Sequence, residues 1–79
     1  ANKAAIESDL RNLVTGAELF FAQNESYPTD ITEITALVEI DTSDYTTAEV
    51  TNPSGVDYQI ELSTADFTGL ATEGGISVN

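Results

Sequence analysis

Cysteine, histidine, methionine and tryptophan are all missing from this 79-residue chain. Without cysteine there is neither a disulfide framework nor a thiolate zinc site. Without His or Cys, a nucleophile–base pair would need Ser or Thr beside a carboxylate or the lone Lys3, which sits on an exposed helix start. Paired carboxylates for glycoside chemistry need a cleft between them, and a domain this small offers little of one. Gly74-Gly75 stands alone, with no phosphate-cradling loop around it. These absences argue against an enzyme.

Positive charge is almost as scarce. Lys3 and Arg11 are the two cations against fourteen carboxylates, for a net charge of −12. Both lie near the beginning, and no basic residue follows Arg11. No direct nucleic-acid binding is expected of such a chain, and an anionic membrane surface repels it. Divalent cations or a basic protein surface are its electrostatic companions; the plain alternative is an acidic surface that keeps a small protein soluble. These residues contain no secretory signal and no apolar run of membrane-spanning length. At this size only about 60–65% of the unfolded surface can be buried, so stability is marginal without a staple or a partner.

What is present is dominated by Ala4–Asn24. At about 100° per residue, Ile6, Leu10, Leu13, Val14, Ala17, Phe20 and Phe21 fall within an arc of roughly 120°, the stripe of an amphipathic helix. Ser8, Asn12 and Thr15 lie opposite. Gly16 weakens the helix by about 1 kcal/mol relative to Ala. A helix this long spans about 30 Å, so everything downstream must pack on it. Asn2 is the one cap in ANKAA. A start inside helical sequence is expected of a helix cut from something longer.

Asn24 is expected to take the left-handed terminal conformation, and Pro28 forbids continuation. A short second helix or turn is expected in TDITEITALVEI, where Asp30 and Glu33 have capping-box spacing. The period then changes from 3.6 to 2. Strands are expected at Tyr45–Thr51, at Val56–Ser63 with Val56, Tyr58, Ile60 and Leu62 on the buried face, and at Phe67–Thr72. A last short segment, Ile76–Val78, follows Gly74-Gly75. Asn52-Pro53-Ser54-Gly55 reads as a turn with Pro at its second position. The fold class is α+β: residues 1–24 a long helix, 25–44 a connecting loop, and 45–79 an antiparallel meander of three to four strands.

Ser8–Thr29, SDLRNLVTGAELFFAQNESYPT, resembles the middle of a type IV pilin, where a long helix ends in an aromatic pair and a polar turn closed by Tyr-Pro. TNPSGVDYQIEL and the terminal GGIS resemble the hairpin and final segment of small bacterial pilins. The resemblance implies an apolar helix segment ahead of Ala1, which anchors the precursor in the inner membrane and later lines the core of an extracellular filament. It also implies that the partners are further copies of the subunit. Many members close the C-terminal loop with a disulfide, so something else must hold Thr64–Asn79. Type II secretion pseudopilins are the related alternative; a free-standing acidic module for a cation or a basic protein is the alternative of another class.

Asp41, Asp44, Asp66 and Glu73 are candidate calcium ligands, or simply solvated loops and caps. No cofactor other than Ca²⁺ is suggested. Lys3, Arg11 and Leu19 are candidate subunit contacts: two lone cations that can meet a neighbour's carboxylates, and an apolar side chain opposite the buried stripe. Glu7 and Arg11 are also spaced to pair within the helix. Phe20, Phe21, Tyr27, Tyr45, Tyr58 and Phe67 read as core aromatics rather than an electron-carrying chain. Asn24-Glu25-Ser26 fits the glycosylation pattern.

Overall fold

A computed structural model describes all 79 residues. Helix α1 (Lys3–Asn24) is followed by α2 (Ile31–Thr35), a 3-10 turn (Thr42–Asp44), and strands β1 (Thr47–Thr51), β2 (Gln59–Ser63), β3 (Thr68–Thr72) and β4 (Gly75–Val78). The strands form one antiparallel sheet in the order β1-β2-β3-β4. This is the expected α+β arrangement, with the meander at its full four strands.

Helix α1 starts where Asn2 accepts the Ala5 N–H at 2.8 Å. Its apolar stripe buries Ile6, Leu10, Leu13 and Ala17, each fully removed from solvent. At about 1.5–3 kcal/mol for each large aliphatic side chain, these contacts dominate the packing. The stripe is narrower than its spacing suggested: Val14 and Phe20 are half-buried and Phe21 is exposed. The left-handed residue is Glu25 (φ 61°), which donates its N–H to the Phe21 carbonyl at 2.7 Å. Asn24 stays helical and donates its amide to the Phe20 carbonyl.

Two cross-strand rows make the inner face of the sheet. Ala48, Leu62, Gly69 and Val78 form one; Val50, Ile60, Ala71 and Ile76 form the other. The small pair, Gly69 and Ala71, lies on β3, and α1 packs chiefly on β3 and β4. A side chain at Gly69 would meet Ile6 Cγ2 at 2.6 Å, so the glycine lets the helix sit close. Gly16 does the same for α2: a Cβ there would fall 2.5 Å from Ile34 Cγ2. The expected capping box forms, with Asp30 accepting from Thr32 N–H and Glu33 accepting from Asp30 N–H.

Three strands begin later than their alternation suggested, β3 by the single residue Phe67 and β1 and β2 by more. Tyr45 leaves the β1 line and its hydroxyl donates to Asp9 of α1, while Thr46 N–H still reaches the Ser63 carbonyl at 2.8 Å. Val56 and Asp57 belong to the turn. There the Val56 N–H bonds Pro53 and Gly55 takes φ 90°, placing Pro53 first and Gly55 third, one step from the expected register. Tyr58 keeps its inward phase and is fully buried with Ile60 and Leu62. Without a disulfide, Thr64–Asn79 is held by backbone pairing: Thr68 and Asn79 exchange bonds of 2.8 and 3.0 Å, and Val78 is buried under α1.

Candidate assembly surface

The face of α1 turned from the sheet is continuous. Ser8, Arg11, Asn12, Thr15, Glu18, Leu19 and Ala22 are all exposed along it. Leu19 is 44% exposed and Phe21, at the edge of the same helix, 42%. Lys3, in the first turn, is exposed as well. Thus the three candidate contacts lie on one helix, with Arg11 and Leu19 two turns apart on its free face.

The expected Glu7–Arg11 pair does not form, nor does any other ion pair between side chains. Both side chains have water as a competing partner, and an exposed pair gains little over it. Charge runs against the helix dipole, with no acidic residue in the first turn and no basic residue in the last. Lys3 and Arg11 share the first half of α1 with Glu7 and Asp9, Glu18 lies in its second half, and Glu25 is the cap just past its end.

The four acidic candidates sit on three separate connections, and no three such groups converge as a metal site. Asp41 caps the 3-10 turn instead, accepting from Ser43 Oγ at 2.5 Å and Ser43 N–H at 3.0 Å; these bonds hold its carboxyl below the ordinary range. Asp44 and Asp66 are exposed turn residues. Glu73 accepts the Asp57 N–H at 3.2 Å, tying the β3–β4 turn to the β1–β2 turn.

A tyrosine corner forms beside the C-terminal half of α1. Tyr27 donates its hydroxyl between both Glu18 oxygens, at 3.1 and 3.2 Å. Its ring lies 4.6 Å from that of Phe21 and 4.8 Å from that of Tyr58. The Tyr58 hydroxyl is buried with no partner. Burial, followed by the charge of Glu18 and smaller influences of Tyr27, Glu73 and Asp57, pushes its pKa up to about 12. Lost hydration and the Glu18 bond also raise Tyr27. The sequence gives no direct signal for this corner; Glu18 and Tyr27 meet only because the chain reverses at Glu25.

Three of the six aromatics therefore stack together, while Tyr45 sits apart on Asp9. The two surface hollows are shallow, about 470 Å³ over the β3–β4 hairpin and about 440 Å³ at Glu39–Asp41. No helix is long and apolar enough to cross a membrane. The Asn24 sequon is exposed, with its amide engaged by Phe20. Comparison with family models, with curated proteins and with solved structures gives no match.

Proposed function

We propose that this chain is the globular part of a type IV pilus subunit, which assembles by helix packing into an extracellular fibre. The observation that carries the reading is α1 itself. Its sequence from Ser8 onward resembles the pilin helix, one stripe is sealed on the sheet, and the opposite face is free for its whole length of about 33 Å. A helix used in this way serves two partners: its own sheet and the helices of neighbouring copies. Heterologous contacts of that kind do not close, and they propagate into fibres.

In this reading an apolar segment continues α1 ahead of Ala1 and supplies the fibre core and the anchor before assembly. The coding sequence immediately upstream of Ala1 tests it. An apolar stretch of about 25 residues, enough to span a bilayer, is expected there, and a polar stretch or a start codon would leave only an acidic binding module. Folding that requires calcium would instead move the chain to the type II secretion pseudopilins.

A further inference from the structure

We propose that Asn24 is an N-glycosylation site whose first sugar lies against the exposed ring of Phe21. This goes beyond the pilus reading and rests on it only for placing the domain outside the inner membrane, where a lipid-carried glycan is transferred. Asn24-Glu25-Ser26 has the acceptor amide, and two residues on the hydroxyl, that such a transfer needs. Three features of the structure lift it above a chance pattern. All three residues are exposed. An unbroken helix would set Asn24 and Ser26 about 200° apart, with amide and hydroxyl on opposite sides. The left-handed Glu25 (φ 61°) ends the helix between them and removes that opposition. Finally, Phe21 precedes Asn24 by three helical residues, so their β-carbons are neighbours about 5–6 Å apart. Tyr27 stacks on the Phe21 ring at 4.6 Å, yet Phe21 remains 42% exposed. The C–H face of a sugar on Asn24 covers that apolar surface.

The fold tolerates the modification. Asn24 Nδ2 donates one hydrogen to the Phe20 carbonyl at 3.0 Å. Transfer from a polyprenyl-phosphate-linked glycan forms a bond from Nδ2 to the anomeric carbon and breaks that carbon's bond to the phosphate oxygen. The phosphate leaves with the electron pair, and the amide gives up its second hydrogen as a proton to a base of the transferase. The bond to Phe20 is kept. The chain also holds its own control. Asn52-Pro53-Ser54 carries the same two groups at the same spacing, but the intervening proline excludes it. Its amide is held by the Asp57 carbonyl at 2.6 Å.

In the native gene product isolated from its own cells, intact-mass spectrometry and peptide mapping are expected to find a glycan on Asn24 and none on Asn52. Asn24→Gln and Ser26→Ala should each abolish it and Ser26→Thr keep it, circular dichroism verifying the fold in each case. Loss of the glycan in S26A should lower the melting temperature by several degrees. The same substitution made beside Phe21→Ala should leave it unchanged. Fibres built of unmodified subunits overturn the site while leaving the pilus reading intact. A mass increment that persists in N24Q overturns it too, because it marks another residue. Equal losses of melting temperature with and without Phe21 overturn the seat of the sugar on the ring. A modified product that forms no fibre upholds the site and contradicts the pilus reading, and an unmodified one that forms no fibre removes both.

Discussion

Gly69 of β3 lies directly beneath Ile6 of α1, and the space a β-carbon would take is already filled by Ile6 Cγ2 at 2.6 Å. The Leu62 carbonyl and Leu10 Cδ1 stand at 2.8 and 3.0 Å from the same point. Leu62 pairs with Gly69 in the sheet, so the crowding involves backbone that cannot swing aside. Gly69→Ala is expected to cost about 3 kcal/mol, the upper part of the usual overpacking range. Urea denaturation reads it as a fall in midpoint at constant slope. An unchanged midpoint would show that α1 does not pack this closely.

Gly16 opposes two effects of known size. Alanine there gains about 1 kcal/mol of helix propensity. It also drives a methyl into Ile34 Cγ2, a fully buried branch, and within 3.2 Å of Val38. Overpacking of about 1–3 kcal/mol wins, so G16A is expected to melt lower by several degrees, at about 4–8 °C per kcal/mol in a domain this small. A higher melting temperature would mean that α2 yields to the helix.

The Tyr45 hydroxyl, donating to Asp9, links the connecting loop to the first half of α1 across 36 residues of chain. Its partner is a carboxylate, so the bond is stronger than a neutral one, although half-exposure reduces its worth. Tyr45→Phe is expected to lose about 1 kcal/mol in chemical denaturation. If Asp9→Asn and the double variant each lose a similar amount, the loss belongs to this bond.

The repeating elements were legible in the chain because hydrophobic spacing marks them. Ile6-Leu10-Leu13-Ala17 and Tyr58-Ile60-Leu62 lie where their periods put them, and Asp30 with Glu33 closes the box its spacing announces. Strand starts were less legible. Tyr45 and Val56 carry good strand residues, yet a long-range hydrogen bond claims one and a Gly55 turn the other. Gly16 and Gly69 look like weaknesses in one dimension and are contact points in three. Lys3, Arg11 and Leu19 stand out in the chain by their isolation and are exposed on α1, whereas the Glu18–Tyr27 corner depends on a chain reversal whose angle no local pattern records.

Alkaline pH should unfold the chain through its tyrosines. Burial raises Tyr45 and Tyr58, and lost hydration with the Glu18 bond raises Tyr27. A raised folded pKa means the neutral form is favoured in the fold. The stability so gained is complete below about pH 10 and disappears as pH rises through the folded values, about 12 for Tyr58. Asp30 and Asp41 act at the other end. Bonds from Thr32 and Ser43 lower them, so their contribution holds above about pH 4 and is lost as pH falls through their folded values. Melting temperature against pH, with phenolate absorbance followed in parallel, should show delayed tyrosine ionisation that coincides with unfolding. Tyrosines that all ionise near pH 10 in the folded state would refute the buried corner.

The most direct measurement is electron microscopy of filaments sheared from cells that express the native gene, with the subunit identified by mass spectrometry. Thin fibres containing this sequence as their repeating subunit, lost when Lys3 and Arg11 are both replaced by Gln, are the expected result. A native product that stays monomeric in solution, with no fibre and no apolar segment, would contradict it.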